Sequence, residues 1–436
     1  MSENKERILF RKVRDEMAEQ LRVRYGMTRR QFLRTSCGLA VTFLAINQAY
    51  GMLFDVNPAE GKDMDAGQER MKSLSGQFIF DAQLHFVQDT YPRRGILGLR
   101  EAAKAWNPDL RTEKTTIEHI QFQNFVKEVF EKSQTTVGLL SSAPADDLKN
   151  WFLTNDQLVG ARKMVNERLK ARRLLCHAVF TPGQPGWLEE VDRAIEVLKP
   201  DAWKGYTIGD PLGISRFPWR LDDEKLVYPA YERMEKAGIR NVCIHKGLIS
   251  PDFRRSIPHL WEYATVDDLG KAAKDWPGLR FIIYHSALQS APFQENSSAE
   301  ISKTGRIPWV TELAEIPEKT GVTNVYGEIG TSFAASCLAE PRLCAAMLGT
   351  LIRGLGPDHV IWGTDSVWYG SPQWQIEALR RFEIPAPLGK EFGFNPLGPA
   401  DGPVKRMIFG ENSARLYGLN PAEYRQQRSK EQGSTA

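Results

Sequence analysis

From about residue 75 onward, short runs of β-branched and aromatic residues alternate with longer stretches whose apolar positions recur at helical spacing. The short runs predict strands at Phe78–Phe86, Thr135–Ser142, Leu174–Phe180, Ala202–Ile208, Asn241–His245, Leu279–His285, Asn324–Ile329 and His359–Thr364. Between them lie helical patterns such as Asp192–Leu198, Pro229–Lys236, Val266–Lys274 and Ala335–Leu351, several of them closed by Gly or Pro. Gly238 and Gly278 stand just before the fifth and sixth runs, where helix-to-strand loops are required. Apolar runs of strand length separated by helices indicate a parallel sheet with both faces covered. Eight such units are what a (β/α)₈ barrel contains. The expected fold is therefore α/β, a single TIM barrel over residues 76–420 with a polar tail at 421–436.

Upstream the pattern changes. Thr28-Arg29-Arg30-Gln31-Phe32-Leu33-Arg34 precedes a modest apolar run, Cys37 to Ala49, with small residues near Gly51. Paired arginines, a Phe-Leu pair and a short weak apolar segment together resemble a bacterial twin-arginine export signal. The run is interrupted by Thr42, Asn47 and Gln48 and falls short of the roughly 20 apolar residues of a membrane span. This reading makes residues 1–51 a signal segment and 52–75 a linker, both outside the barrel. It implies the twin-arginine export machinery as a partner and a periplasmic location, free or tethered to the membrane and facing outward.

Composition narrows the class without naming it. The chain of 436 residues is 42% hydrophobic and 25% charged, as globular proteins are, which excludes a disordered chain, a collagen and a polytopic membrane protein. Of the net charge of +3, the excess sits in the first 34 residues, where ten Lys and Arg face five Asp and Glu. The remainder carries no nucleic-acid footprint, so a small-molecule substrate is expected. The five cysteines show no CxxC pair, and Cys337 and Cys344 are spaced too far apart on a helix to bridge.

In a barrel of this type catalytic groups gather at the C-terminal ends of the strands. The predicted ends carry Gln83 and His85, Lys204, His245, His285, Glu328 and Asp365. Three of the seven histidines in the chain therefore occupy such ends. Imidazoles and a carboxylate converging on one point are ligands for a divalent transition metal, Zn²⁺ above all, with Mn²⁺ or Fe²⁺ as alternatives. An open coordination position would polarise a substrate oxygen, and a histidine beside the metal would serve as acid or base. Lys204 is expected to pair with a barrel carboxylate such as Glu328, and His177 and His359 are expected to be structural.

The order of these residues carries a family resemblance. Phe80-Asp81-Ala82-Gln83-Leu84-His85-Phe86, Ile244-His245-Lys246-Gly247, Tyr284-His285-Ser286-Ala287 and Ile361-Trp362-Gly363-Thr364-Asp365-Ser366 resemble the amidohydrolase superfamily. More narrowly they resemble its amidohydrolase-related branch, which contains aminocarboxymuconate-semialdehyde decarboxylase and γ-resorcylate decarboxylase. Ile408 to Leu416 is similar to the closing helix of that branch. The resemblance implies His85, His245 and Asp365 as ligands of one divalent metal, with His285 the catalytic histidine beside it and Asp365 doubling as proton acceptor. It also implies homodimers. One departure stands out: the family has His-x-His on its first strand, and this chain has Gln83 at the first position. An amide oxygen is a poorer ligand for Zn²⁺ than an imidazole, so Gln83 either ligates a harder ion such as Mn²⁺, leaves a three-ligand site, or marks a site that has lost its metal.

Loops after the strands supply candidate substrate contacts, Arg216 and Trp219, Arg254, and Trp368. Arginine holds a carboxylate through two hydrogen bonds and indole covers a flat ring, a combination suited to an aromatic or unsaturated acid. The leading expectation is hydrolysis of an ester, lactone or amide of a small acid by activated water. Non-oxidative decarboxylation of an aromatic or unsaturated acid uses the same residues and stays open, as does a catalytically silent exported barrel that binds a ligand.

Overall fold

The eight apolar runs form the strands of a closed barrel in the computed structural model, which describes residues 5–249, 251–289, 301 and 304–426. Most of the polar stretch Gln294–Lys303 and the last ten residues of the tail lie outside these. The strands are β1 (Phe80–Leu84), β2 (Val137–Leu140), β3 (Leu174–Val179), β4 (Ala202–Tyr206), β5 (Asn241–His245), β6 (Arg280–Tyr284), β7 (Val325–Glu328) and β8 (Val360–Ile361). All neighbours are parallel and follow chain order from β1 to β8. β8 is shorter than its apolar run, because Pro357–His359 is a 3₁₀ turn and the chain beyond Ile361 bends toward β1. There the Ala82 amide donates to the Trp362 carbonyl (2.9 Å), the Asp365 amide to the Gln83 carbonyl (2.9 Å) and the His85 amide to the Ser366 carbonyl (2.6 Å), closing the ring.

Strand alternation decides which side chains face the barrel axis. Phe80, Ala82, Val137, Leu139, Leu175, Ala202, Cys243, Ile282 and Tyr284 fill its interior as one apolar cluster. The intervening residues, Trp203, Val242, Ile244, Phe281 and Ile283 among them, face outward into the main core beneath the helices. On β1 the alternation slips. The register against β2 is irregular between Asp81 and Leu84, and Leu84 belongs to the outer core although Phe80 and Ala82 belong to the inner one. Such an irregularity re-aims the side chains beyond it, and it is what turns Gln83 and His85 toward the axis. Asp81 fixes the bend: its carboxylate accepts from the Gln83 amide (3.2 Å) and from the amide (3.0 Å) and hydroxyl (2.5 Å) of Thr364.

Residues 5–75 are folded against this barrel. Helices α1 (Lys5–Arg24), α2 (Arg29–Leu33) and α3 (Ser36–Tyr50) are followed by α4 (Met64–Ser73), which lies within the stretch read as a linker. Thr28 caps α2 with a reciprocal bond to Gln31, and Thr35 caps α3. The apolar run buries Ala40, Phe43 and Ile46 in the main core together with Leu53, Phe54 and Val56. Phe43 stacks on Phe54 (4.4 Å between centroids), and Phe54 meets Phe382 edge-on (5.1 Å). Backbone bonds from the Asp55 amide to the Arg381 carbonyl and from the Glu383 amide to the Leu53 carbonyl form an antiparallel bridge. The physical reason is the run itself, too short for a bilayer yet apolar enough to need cover. Among the described residues no helix is long and apolar enough to cross a membrane.

Candidate metal centre

Five side chains meet at the C-terminal mouth of the barrel. His85 follows β1, His245 ends β5, His285 follows β6, Asp365 lies beyond β8, and Gln83 comes from the re-aimed end of β1. They form two touching pairs. His85 Nε2 stands 3.2 Å from Asp365 Oδ1, and His245 Nδ1 stands 3.1 Å from His285 Nε2. The Gln83 amide lies between the pairs, its Nε2 3.5 Å from His85 Nε2 and 3.4 Å from His285 Nε2.

The surroundings fix the state of each group. His285 Nδ1 faces the Gly330 carbonyl at 2.8 Å. A carbonyl only accepts, so Nδ1 donates and Nε2 keeps its lone pair, aimed at the cluster. Burial pushes the His285 imidazole down to about 4, with the Asp365 carboxylate opposing and the Lys204 ammonium reinforcing the shift. His245 is held well below its ordinary value by burial and by the neighbouring His285. For Asp365 burial acts upward, but the bond and charge of His85, the charge of His285 and the Thr331 hydroxyl outweigh it and lower the carboxyl. Neutral imidazoles beside an ionised carboxylate are the protonation states that a metal ion requires.

A layer of supporting residues surrounds these. Thr331, just after β7, donates its hydroxyl to Asp365 Oδ2 and shares a 2.9 Å hydrogen bond with the Tyr369 phenol. The Glu328 carboxylate accepts from the His285 amide (3.1 Å) and the Gly330 amide (2.5 Å), and burial raises it to about 8. A Cβ at Gly330 would stand 2.5 Å from both Gln83 Oε1 and Glu328 Oε1, so a larger residue would displace these side chains. Trp368 stacks on His85 (5.6 Å, 20°) and Tyr206 on His245 (4.8 Å, 20°), walling the mouth with aromatic faces. His285, Thr331 and Asp365 all hold positive φ, at 62°, 56° and 57°. Non-glycine residues adopt this region sparingly, and it concentrates at functional sites.

The donors suit a divalent cation by spacing as well as by chemistry. Around a tetrahedral ion with bonds of about 2.0–2.1 Å, ligand atoms lie roughly 3.3–3.4 Å apart. The His85–Asp365 pair, at 3.2 Å, is close to that edge. Gln83 Oε1 and His85 Nδ1 have no hydrogen-bond partner among the described residues. The set is not a finished cage, since no three His, Cys, Asp or Glu among the described residues are gathered as a ready metal cluster. Gln83 stands between the pairs.

Of the remaining expected residues, Trp368 reaches the cluster, as described. Trp219 lies in the layer outside the strands, where its ring covers Gly205 and its Nε1 donates to the Tyr206 carbonyl (2.9 Å). Arg216 is 79% exposed and paired with Asp146 (3.3 Å). Arg254 is exposed and lies over the Trp261 ring at 5.6 Å. Lys204 makes no ion pair with Glu328. β4 runs two residues past it to Tyr206, so it sits lower in the barrel, fully buried, with its Nζ 3.3 Å from the centre of the Tyr284 ring and no hydrogen bond. His177 is buried at 3.2 Å from the Tyr284 hydroxyl, and His359 contacts the Thr323 carbonyl at the opposite end of the barrel, so both are structural. Thr331 and Tyr206 escaped the sequence reading. Only Thr331, three residues beyond Glu328, carried a positional hint, since it follows a strand end.

The chain is a parallel eight-stranded barrel with imidazoles and an aspartate at its C-terminal mouth. Residues 171–419 match the amidohydrolase family, more than half of the chain, and the protein belongs to that family. The matched region holds His245, His285 and Asp365 and begins after Gln83 and His85. No curated protein matches the sequence. Among solved structures, an uncharacterised TIM-barrel protein from Bordetella bronchiseptica is 14% identical over 78% of this chain and 98% of its own, with a TM-score of 0.50. The 5-carboxyvanillate decarboxylase of Sphingomonas paucimobilis is 16% identical over 79% of this chain and 100% of its own, with a TM-score of 0.45. A dihydroxybenzoic acid decarboxylase from Polaromonas sp. JS666, solved with bound manganese and 2-nitroresorcinol, is 14% identical over 80% and 99%, with a TM-score of 0.43. At such identities the likeness extends to the barrel fold alone.

Proposed function

We propose that the protein is a divalent-metal-dependent enzyme that hydrolyses an ester, lactone or amide bond of a small organic acid. The observation that carries this reading is the presence at one barrel mouth of an ionised Asp365 and a neutral His285 whose Nε2 lone pair is fixed toward the cluster. Both groups are unprotonated at neutral pH, so each offers a lone pair and neither has a proton to donate. His85, His245 and Asp365 would hold the cation, either Zn²⁺ or Mn²⁺, with Gln83 as a fourth contact if its amide oxygen turns inward. When bound, the cation supplies Lewis acidity toward a substrate carbonyl. His285 Nε2 would take the proton from the attacking water and return it to the leaving oxygen or nitrogen as the carbonyl bond breaks, and the Gly330 carbonyl stabilises the intervening imidazolium through Nδ1–H. Thr331, backed by Tyr369, keeps the Asp365 carboxylate from rotating. Trp368 and Tyr206 exclude bulk water from the mouth.

The same aromatic walls favour a second reading, in which the residues orient a flat unsaturated acid for loss of CO₂. One experiment separates the readings. Elemental analysis of the full chain should find about one Zn²⁺ or Mn²⁺ per molecule, sharply reduced in His245→Ala. The loaded enzyme is then screened against lactones and aromatic acids, with acid release and CO₂ evolution measured in parallel. CO₂ without hydrolysis replaces the first reading with the second. Metal found only in Gln83→His would sink both and leave a silent binding barrel. Unchanged metal in His245→Ala overturns the ligand assignment.

A further inference from the structure

Away from the barrel mouth, α1 and the barrel enclose a cavity of about 390 Å³, within the size range of small-ligand sites. Four guanidinium groups line it: Arg7, Arg11 and Arg14 from one face of α1, and Arg111 from the loop after the 3₁₀ turn at Pro108–Leu110. Phe10 and Trp106 supply apolar walls. Carboxylates neutralise part of this charge. Arg7 bonds Glu340 at 2.9 Å and Arg14 bonds Asp15 at 2.8 Å, and Asp15 also attracts Arg29 at 3.5 Å. Arg111 lines the cavity with no hydrogen bond or ion pair among the described residues. Enclosure by the surrounding protein lowers its guanidinium to about 10, helped by the like charges of Arg14, Arg29 and Arg11 and opposed only by Asp15. Like charges crowd together here around a hollow that is half apolar.

We propose that this cavity is a second binding site, distinct from the metal centre, for a small organic anion whose oxyanion group sits among the arginines and whose apolar body lies against Phe10 and Trp106. Guanidinium groups match the planar geometry of carboxylate and the oxygens of phosphate through paired N–H donors. An aromatic or branched body gains by leaving water for the cavity walls. An anion there would also bridge α1 to the barrel, since Arg7, Arg11 and Arg14 belong to the first and Arg111 to the second. The ligand would therefore bind the folded arrangement and not the separated segment, and it would raise the stability of the docked form by mass action.

The test uses the full chain, with benzoate and phenyl phosphate as probes and phenol as the neutral control, followed by titration calorimetry. One saturable site is expected for at least one anion, with phenol binding at least about tenfold more weakly. Preference between benzoate and phenyl phosphate tells whether the natural group is a carboxylate or a phosphate. Arg111→Gln removes the guanidinium that holds no other partner and should weaken binding by about tenfold or more, in line with the loss of a charge-assisted hydrogen bond. Lys12→Gln, an exposed cation elsewhere on α1, should bind as wild type. His245→Ala, which disables the proposed metal centre, should also retain the site. Unchanged binding in Arg111→Gln, equal binding of phenol, or no binding of either anion at millimolar concentration overturns the proposal. Loss of all binding in His245→Ala assigns the anion to the barrel mouth and overturns it as well.

Discussion

Phe54→Ala tests whether the N-terminal segment is part of the folded core. Phe54 is 1% exposed, stacks on Phe43 of α3 at 4.4 Å and 17°, and meets Phe382 edge-on at 5.1 Å. Removing a buried phenylalanine costs about 3–5 kcal/mol where the surroundings cannot collapse into the gap. Collapse is hindered here, since the backbone on either side is tied to Arg381 and Glu383. Phe43→Ala, at 0% exposure, should cost a similar amount. The two losses should not add, because the ring pair is removed twice, and a coupling of about 0.5–1.5 kcal/mol is expected from the stacked contact. Equilibrium urea denaturation of the full chain, the two single variants and the double variant measures all three quantities. Losses within about 0.5 kcal/mol, the range of surface substitutions, would refute the reasoning and mean that α1 to α3 do not pack on the barrel in solution. A chain lacking residues 1–51 would strip Phe43 from Phe54 and uncover part of the main core, so metal and activity measurements belong on the full chain.

Thr331→Val removes the hydroxyl that steadies Asp365 while keeping its shape, and should lower metal affinity or turnover by about 10–100-fold, as outer-layer changes do; an unchanged metal titration would show that Asp365 holds its position without it. Burial lowers the Lys204 ammonium from 10.5 to about 7, so the unfolded chain binds a proton that the folded one refuses between those values. Stability is therefore lost as pH falls from 10.5 to 7, and Lys204→Met should stabilise the protein at pH 7 by on the order of a few kcal/mol, with the gain vanishing near pH 10.5. A destabilising Lys204→Met would mean that the ammonium serves a bound partner. Arg381 joins Glu60 of the N-terminal segment (2.6 Å) to Glu377 of the barrel. Burial alone would raise the Glu377 carboxyl, but Arg380 and Arg381 hold it below 4.5. The contribution of this carboxylate is complete above pH 4.5 and fades as pH falls through its lowered value, so pepsin should cut residues 51–62 increasingly fast below that pH, and a flat rate would count against the clasp.

Much of the barrel was legible because short β-branched runs between helical stretches leave few alternatives. His245, His285 and Asp365 were legible for the same reason: strand ends converge in this fold whatever the loops do. The shift of Gln83 and His85 onto the axis depends on the slip between Asp81 and Leu84, which alternation alone does not reveal. Lys204 was misplaced by one layer, because β4 ends at Tyr206 and not at the lysine. Trp219 and Trp368 look alike as loop tryptophans. What separates them is Gly205, whose missing side chain leaves a seat outside the strands that Trp219 fills. The docking of α3 was hidden for a different reason. An apolar run of that length reads the same whether a membrane, a receptor or the protein itself covers it, and the partner, Phe382, lies more than three hundred residues away.

That separation orders events as the chain is made. Arg7 closes on Glu340 and Phe54 on Phe382, contacts spanning 333 residues in the first case. Residues 5–62 leave the ribosome first, yet their seat is finished only when most of the barrel has followed. For the whole of that interval Phe43, Leu53 and Phe54 lack their cover, and Arg29 and Arg30, which stay exposed afterwards, are presented on an untethered arm. Closure of the barrel ends this state. The N-terminal segment is thus free while the chain is incomplete and clasped once it is whole.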